Sequence, residues 1–369
     1  MNNIGKLQPI AEIREFGLQL VRFELNILGD LSTIYLGLIS LFIKSKNSHN
    51  KWQKISISHY TQHSEKHYTL HIDLSTFDTS LKLLYFNQNS FRQQFCYPHF
   101  KYHIKDRSIQ KIEILPIRYI TELNVSKHIY QTLRYSLHRP KKQKSNHPLI
   151  ICLHGAGEGG NNHSQLFADR MVETFCHNEQ QKKFDYPYVL APQCPSFWVD
   201  RFKLNGRVYR GKQNYTPTLH QLIKHVIQRY HDIDPNRIYI IGASMGGYQA
   251  LALLTYDPNL FTAGIIACPA KLPYKREWHK LTNIPLWFIH SYADQVVPVA
   301  NTEKIIQYLQ QHQATLQQAT YCDRVEINHN EINPHAIFLL IYENKIVSKN
   351  ISIFQWLSKQ TKGENNGYK

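Results

Sequence analysis

The 369-residue sequence predicts an α/β fold, with a mostly parallel central sheet flanked by helices and a small β-rich region ahead of it. Three observations predict this class. From residue 149 onward, apolar strand-like runs alternate with helical stretches of about 10–15 residues, the pattern of βαβ units. Two of these runs end in glycine-containing turns, at Gly155 and Gly242. Residues 51–115 instead alternate polar and apolar positions with period two, which is typical of antiparallel strands.

Composition is that of a globular protein, with 42% hydrophobic and 19% charged residues. The 43 lysines and arginines against 27 acids give a formal charge of +16, which favours anionic surroundings. The densest basic run has no interleaved aromatic residues, and no nucleic-acid-binding module signature occurs in the chain. We therefore expect a solvated loop and no nucleic-acid partner. That run consists of Arg139, Lys141, Lys142 and Lys144.

Cysteines and histidines predict no metal or cofactor. The six cysteines lack C-x-x-C spacing, which argues against a zinc site and against a dense disulfide framework. Four histidines recur at every fourth position, but the second half of that stretch alternates like a strand, where such spacing gives no compact metal site. The cysteines are Cys96, Cys152, Cys176, Cys194, Cys268 and Cys322, and the histidines are His59, His63, His67 and His71.

Residues 1–50 are predicted to be a helical segment. Helical spacing puts five apolar residues of the stretch 10–28 on one face, which indicates a helix packed on the protein. The apolar run Leu31–Ile43 is shorter than the roughly 20 residues that span a bilayer. It also follows acidic residues rather than a basic start, so we expect no export signal and a cytoplasmic protein. Contact with a membrane surface through residues 10–46 is the alternative. The five residues are Ile13, Phe16, Leu20, Phe23 and Ile27.

Three further regions follow: a small β-rich accessory domain over 51–115, the α/β domain over 116–360, and a polar tail over 361–369. The α/β domain is expected to open with a hairpin formed by "RYITELN" and "QTLRYSLHRP". Its predicted strands are Leu149–Leu153, Tyr188–Ala191, Arg237–Ile241, Ala263–Ala267, Pro285–His290 and Arg324–Ile327. Its predicted helices are Gln165–Cys176, Thr218–Tyr230, Gly246–Thr255 and Thr302–Gln313.

The clearest chemical signal is Gly242-Ala243-Ser244-Met245-Gly246, a G-x-S-x-G between a predicted strand and a predicted helix. This context is typical of a nucleophile elbow, a turn so tight that it raises the serine hydroxyl above the sheet edge. A serine hydroxyl is a poor nucleophile unless a base is positioned beside it. A plain strand-to-helix turn is the alternative interpretation.

An acid and a histidine are expected to follow the serine in that order. Asp294 lies just past the predicted strand that ends at His290, at the sheet edge where catalytic groups gather. An aspartate that only caps the turn before Pro298 is the alternative. Either His329 or His335 could accept the serine proton while Asp294 fixes the tautomer of the ring. His335 is favoured because it immediately precedes an apolar helix-like run.

The turn at residues 155–160 matches G-x-G-x-x-G and admits two interpretations. A pyrophosphate site needs an acidic residue at the end of the next strand, and Pro192 and Gln193 stand there instead. A His-Gly-x-Gly turn after an early strand is typical of an oxyanion loop. The backbone N–H groups of Ala156 and Met245 would then face the developing negative charge.

Taken together, these motifs resemble the α/β-hydrolases, in the predicted-peptidase and esterase branch related to polyhydroxybutyrate depolymerase-like and feruloyl-type esterases. The resemblance runs from Pro148 to Leu357 and rests on "LHGAGEGG", "APQCPSFW", "DIDPNRIYIIGASMGG", "IPLWFIHSYADQVVP" and "FQWL". It implies an oxyanion loop at Ala156, the nucleophile at Ser244 and the acid at Asp294.

The resemblance also bears on the histidine, since the family places an aromatic residue three positions after it and a tyrosine seven positions after it. Phe338 and Tyr342 fit His335. Two departures are Gly159, where the family often has arginine, and Pro334, where glycine commonly precedes the histidine. Members often carry an immunoglobulin-like domain ahead of the hydrolase, which corresponds loosely to residues 51–115.

The sequence thus predicts a serine hydrolase that cleaves small-molecule or polymer-linked carboxylic esters through an acyl-enzyme. A serine peptidase of the same fold and an inactive binding module on this scaffold are the alternatives. Trp198 could form a wall of the acyl pocket, with plain surface packing as the other interpretation.

Overall fold

The structure is a computed structural model. It describes residues 5–28, 39–75, 79–104, 112–121, 123–142, 144–204, 206–314, 316–327 and 329–363. The chain divides into two compact units, one formed by Met1–Thr121 with Phe167–Asp169 and the other by Glu122–Leu166 with Arg170–Lys369. The two regions predicted before residue 116 therefore belong to one unit. Part of the apolar run 31–43 and most of the polar tail lie outside the described residues.

In its described residues, the first unit is built mainly of strands, which form three sheets. The largest has the order β10-β1-β2-β6-β5, with β11 also paired to β1, while β4-β3-β9 and β7-β8 form the others. Phe23, Leu41 and Leu70 are among the side chains of its apolar core. The strands are β1 (Gly5–Arg14), β2 (Gly17–Ile27), β3 (Ile39–Lys44), β4 (Gln53–Lys54), β5 (Ile57–Ser64), β6 (His67–Ile72), β7 (Leu84–Asn87), β8 (Arg92–Phe95), β9 (His99–Ile104), β10 (Ile112–Ile114) and β11 (Arg118–Ile120).

The predicted N-terminal helix is wrong, because residues 5–27 form the antiparallel pair β1 and β2. Phe23, Leu25 and Ile27 alternate inward with period two. The register of the pair shifts so that Val21 has no partner opposite it, and Leu20 and Val21 are both buried. Such a bulge inserts one extra residue, which produces an apolar spacing of three that imitates a helix.

The histidines of the β5–β6 hairpin pair across strands, as their alternation suggested. The rings of His59 and His71 stack with centroids 4.2 Å apart, and those of His63 and His67 lie 4.9 Å apart. Each pair joins two imidazoles, and the pairs follow one another along the hairpin.

The second unit is built on an eight-stranded sheet of order β12-β13-β15-β14-β18-β19-β20-β21. The six strands from β15 to β21 in this order run parallel, and β12 and β13 add an antiparallel edge. The mostly parallel sheet is therefore confirmed. Its strands are β12 (Val125–Tyr130), β13 (Leu133–His138), β14 (His147–Leu153), β15 (Tyr188–Gln193), β18 (Ile233–Ala243), β19 (Ala263–Ala267), β20 (Leu286–Ser291) and β21 (Gln317–Cys322).

Helices and short hairpins complete this unit. The helices are α1 (Met171–Cys176), α2 (Asn178–Lys183), α3 (Thr216–Arg229), α4 (Met245–Tyr256), α5 (Ala300–Gln311), α6 (Phe338–Tyr342) and α7 (Ile353–Ser358). The hairpins pair β16 (Arg201–Leu204) with β17 (Arg207–Arg210), β22 (Glu326–Ile327) with β23 (Asn330–Glu331), and β24 (Val347–Ser348) with β25 (Ile351–Ser352). Within the described ranges, no helix is both long enough and apolar enough to cross a bilayer.

Two strand predictions are corrected at the sheet edges. The last core strand is β21, not Arg324–Ile327, because an edge strand such as "QQATYC" is only half-buried and needs no continuous apolar run. The opening hairpin is β12–β13, whereas Arg118–Ile120 of the expected first arm pairs with β1 in the first unit.

The basic run near residue 140 makes contacts within the second unit. Arg139 lies over the ring of Tyr230, with 5.0 Å to the centroid, and Lys144 forms an ion pair with Asp185. These residues cover aromatic surface and neutralise an acid.

Candidate active site

Ser244 lies between β18 and α4, in a backbone conformation that side chains rarely adopt, with φ 56° and ψ −118°. The chain reverses here so sharply that glycines are required on both sides. A Cβ atom on Gly242 would lie 2.2 Å from the carbonyl oxygen of Gly246, and one on Gly247 would lie 2.8 Å from that of Ala267. The surrounding sheet keeps Ser244 in this strained backbone conformation, and residues strained in this way are common at functional sites.

Gly246→Ala is expected to destabilise the protein severely. A Cβ at this position would lie 1.9 Å from the carbonyl oxygen of Leu153 and 2.6 Å from its carbon, which are backbone atoms of the central strand β14. We expect a loss of about 3 kcal/mol or more in the free energy of unfolding, measured by urea denaturation. Gly206→Asn is the control, because a Cβ there meets nothing within 4 Å and asparagine tolerates its φ of 78°. A stable Gly246→Ala protein would contradict the tight elbow.

Two other predicted residues meet Ser244 at the carboxyl edge of the sheet. The Ser244 hydroxyl lies 3.1 Å from Nε2 of His335, and Nδ1 of His335 lies 2.8 Å from Oδ2 of Asp294. Asp294 follows β20, and its Oδ1 accepts the backbone N–H groups of Val296 and Val297 at 2.8 and 2.9 Å. The structure therefore brings the three residues into one hydrogen-bonded chain.

His335 is the second residue of a short turn of 3₁₀ helix, Pro334–Ile337, that leads into α6. The side chain of Asn333 caps this turn by accepting the His335 backbone N–H at 3.0 Å. Pro334 stands where the resembling family has glycine, and it suits the first turn of a helix because its missing N–H is not needed there. His329 is exposed in the turn between β22 and β23, so the histidine beside Ser244 is His335.

A second histidine, which the sequence pattern did not predict, lies at the carboxylate. His290 is fully buried, and its Nε2 lies 3.3 Å from Oδ2 of Asp294 and 3.1 Å from the carbonyl oxygen of Val297. Its Nδ1 lies 2.8 Å from the hydroxyl of Thr302. The signal was its place near the end of an otherwise apolar strand, four positions before the acid. A ring with a proton on Nε2 satisfies the contacts to Asp294 and Val297 and fixes the carboxylate.

Charges in the site favour an ionised acid beside a basic imidazole. Burial acts to raise the pKa of Asp294, but hydrogen bonds from His290 and His335 outweigh it and hold that pKa well below its ordinary value. Burial also acts to lower the pKa of His335, yet the neighbouring Cys268 and the Asp294 carboxylate leave it raised above its ordinary value. The ionised form of Asp294 is therefore favoured, and this carboxylate attracts a proton onto the ring.

The loop after β14 approaches Ser244 closely. A Cβ on Gly155 would lie 3.9 Å from that of Ser244, so the loop that carries Ala156 borders the hydroxyl. His154 anchors this loop: its Nδ1–H donates to the carbonyl of Gly155 at 2.6 Å, and its Nε2 accepts the backbone N–H of Cys194 at 3.0 Å. Met245 is the first residue of α4, where backbone N–H groups have no partner within the helix.

Gln193 stands where a dinucleotide site would need an acid, and it braces the same loop. Its side chain donates to the carbonyl of Glu158 at 2.8 Å and accepts the backbone N–H of His163 at 2.9 Å. The amide is completely buried. The glycine-rich turn is thus tied to β15, which agrees with its interpretation as a fixed loop rather than a phosphate cradle.

Trp198 lies behind the loop. It is only 2% exposed, and its Nε1–H donates to the carbonyl of His154 at 3.1 Å. It also lines a cavity of about 620 Å³ together with Tyr248 and Lys271. Tyr248 lies one helical turn after Ser244, whose carbonyl accepts its backbone N–H at 3.1 Å. The lining of the cavity does not include Ser244, Asp294 or His335, and the role of Trp198 toward a substrate stays a prediction.

Comparisons with known proteins agree with this architecture. The model of the family described as phospholipase/carboxylesterase matches residues 139–336. A crystal structure of a thermostable esterase has a TM-score of 0.73 and 20% identity, over 96% of this chain and 99% of that one. An S-formylglutathione hydrolase from Agrobacterium tumefaciens has a TM-score of 0.43 and 15% identity, over 64% of this chain and 94% of that one. A search of curated proteins found no match.

The family match covers more than half of the chain and includes Ser244, Asp294 and His335. The structural likeness to the thermostable esterase supports the fold. The resemblance stated from the motifs is therefore confirmed: the chain has the α/β-hydrolase fold and belongs to the phospholipase/carboxylesterase family.

Proposed function

We propose that this hydrolase cleaves carboxylic esters through an acyl-enzyme, with Ser244 as the nucleophile. The observation that carries the proposal is the unbroken hydrogen-bonded chain from the Ser244 hydroxyl through His335 to Asp294. In the neutral ring, Nδ1–H donates to the carboxylate, so Nε2 is free to accept the serine proton. A serine hydroxyl without such a base is a weak nucleophile, and His335 supplies the base here.

The reaction divides into two half-reactions. Oγ of Ser244 attacks the ester carbonyl carbon while its proton moves to Nε2 of His335, and a tetrahedral oxyanion forms. The oxyanion collapses, the bond to the alcohol breaks, and the imidazolium donates its proton to the departing oxygen. Water then attacks the acyl-enzyme by the same route, which releases the acid and restores Ser244.

The oxyanion needs donors, and two backbone amides are the candidates. We assign these to Ala156, in the loop beside Ser244, and Met245, at the N-terminus of α4. The 12-residue helix adds the positive end of its dipole at that point. The loop that carries Ala156 is anchored by hydrogen bonds of His154, Gln193 and Trp198. Donors that are fixed in advance in this way need no reorganisation during the reaction.

The pH dependence of kcat/KM follows from the raised pKa of His335. Only the neutral imidazole can accept the serine proton, and a raised pKa keeps the ring protonated to higher pH. Activity should therefore appear as pH rises through a midpoint above about 6.5, the ordinary histidine value. The measurement is kcat/KM for p-nitrophenyl acetate across the neutral and alkaline range, corrected for spontaneous hydrolysis. A midpoint well below the ordinary value would contradict this electrostatic description.

The substrate class is tested with matched esters and amides. p-Nitrophenyl esters of increasing acyl length are compared with aminoacyl p-nitroanilides at equal concentrations. We expect turnover of the esters and little of the anilides. A kcat/KM for anilides that exceeds that for esters would favour a peptidase instead. Hydrolysis of neither class by folded protein would contradict the proposal and favour a binding module on this scaffold.

A further inference from the structure

Cys268 is a buried thiol beside the site that the proposed chemistry does not use. It directly follows β19, is completely buried, and has φ 35°, an uncommon value for a residue with a side chain. Its Sγ–H donates to the carbonyl oxygen of His335 at 3.6 Å. The backbone N–H of Ser244 donates to the adjacent Ala267 carbonyl at 3.0 Å. The sheet therefore places this sulfur next to the hydrogen-bonded chain.

The thiol completes a set of metal-ligand atoms. The Sγ of Cys268, one ring nitrogen of His335 and one carboxylate oxygen of Asp294 all lie within 4.8 Å of one another. Among the described residues this is the one such group of three or more. Zinc bond lengths imply ligand separations of about 3.3–3.7 Å around a tetrahedral ion, so small side-chain shifts are enough for coordination.

We propose that Cys268, Asp294 and His335 form an inhibitory site for a thiophilic divalent cation such as Zn²⁺ or Cd²⁺. Thiolate, imidazole and carboxylate together suit these ions, whereas Mg²⁺ and Ca²⁺ prefer oxygen ligands alone. The scattered cysteine spacing predicted no zinc site, and only the fold brings this sulfur to an aspartate and a histidine. Inhibition rests on the proposed function, while binding of the ion does not.

Coordination by the neutral His335 ring requires one proton to leave and involves no electron transfer; below the raised pKa of His335 the imidazolium must release a second proton first. The Cys268 thiol releases its proton to solvent and binds as the thiolate. His335 binds through the lone pair of one nitrogen and keeps its single proton on the other, and Asp294 binds through an oxygen. Water fills the fourth position. The ion then holds the ring and the carboxylate, so His335 no longer passes the serine proton and hydrolysis stops.

An ion from solvent can reach the site at the exposed part of the His335 imidazole. The His335 side chain is 17% exposed, whereas the side chain of Asp294 is fully buried. His335 is therefore the ligand that an arriving ion contacts first, and the two buried ligands follow. This order predicts that a bound acyl group on Ser244 slows entry of the ion.

Binding is tested on Ser244→Ala protein, which separates it from catalysis. Cd²⁺ is titrated while the ultraviolet thiolate-to-Cd²⁺ charge-transfer absorbance is recorded. We expect saturation at one ion per chain, and about a 100-fold loss of affinity when Cys268→Ser is added. Cys322→Ser is the matched control, because Cys322 is the most exposed of the six thiols and is therefore the one most open to Cd²⁺ from solvent. An unchanged titration in the Cys268→Ser protein would overturn the site.

A second variant keeps the test decisive if Cys268→Ser fails to fold. His335→Gln removes a different ligand, and Cd²⁺ affinity should again fall about 100-fold, with unchanged affinity as the contradicting result. Inhibition is then measured with Zn²⁺ and with Mg²⁺, each relative to the metal-free rate of the same variant. Zn²⁺ should inhibit the native protein far more than Cys268→Ser. Cd²⁺ binding without any esterase activity would support the site and contradict the proposed function alone.

Discussion

Ser244→Ala is expected to lower kcat for p-nitrophenyl acetate by about 10⁶, down to the level set by binding and the oxyanion donors. The substitution removes the nucleophilic oxygen but leaves the elbow, since alanine retains the Cβ that the unusual backbone already accommodates. The Ser244 hydroxyl is hydrogen-bonded to His335. The variant loses this contact, and we expect the imidazole to keep its place through its hydrogen bond to Asp294. The measurement is the initial rate under saturating substrate, with purified protein and an uncatalysed blank.

The control for this variant is a serine in the same unit whose hydroxyl donates to a carbonyl of its own helix. Ser358→Ala, at the C-terminus of α7, should retain a rate near that of the native protein. Thermal unfolding of both variants should resemble that of the native protein. If folded Ser244→Ala protein keeps more than a small fraction of the native rate, another residue is the nucleophile and the assignment is wrong.

Asp294→Asn is expected to lower kcat by about 10⁴ while KM changes little. The carboxylate accepts Nδ1–H of His335, and this contact leaves Nε2 able to accept the serine proton. The amide of asparagine can donate to Nδ1 instead, which puts the ring proton on Nε2 and blocks that transfer. The amide also removes the negative charge that stabilises the imidazolium, so both effects act in the same direction.

The chain offers a matched control for this variant in a second histidine–aspartate pair. Nε2 of His220 lies 2.8 Å from Oδ2 of Asp257, at the far end of α4 from Ser244. Asp257→Asn therefore changes the same chemistry without touching the site, and its kcat should stay within a few-fold of the native value. Equal losses in both variants would indicate general destabilisation rather than a role for Asp294.

Two residues of the candidate site were predictable because each follows a strongly patterned strand. Ser244 directly follows the apolar strand β18, and Asp294 lies three residues after the apolar strand β20. Parallel strands bring their carboxyl ends to one edge of the sheet. His335 was harder, since no strand leads into it. Its choice over His329 depended on the apolar run that became α6.

Other features depend on contacts between distant parts of the chain, and the local sequence pattern does not reveal these contacts. The bulge at Val21 gave the β1–β2 hairpin an apolar spacing typical of a helix. The position of this bulge is set by the pairing of β2 with β1. The last core strand, β21, is half-buried and carries little apolar signal. The roles of His290 and Cys268 arise from side chains that meet across neighbouring strands and loops. Residues of this kind are visible only once the sheet order is known.

The most direct test of the central claim is covalent labelling of the nucleophile. Native protein is treated with a fluorophosphonate probe and digested, and the modified peptide is identified by mass spectrometry. One adduct per chain on Ser244, lost after heating and strongly reduced in Asp294→Asn, is the predicted result. Folded protein that does not label, or that labels equally after heating or on another serine, would contradict an activated serine at the end of β18.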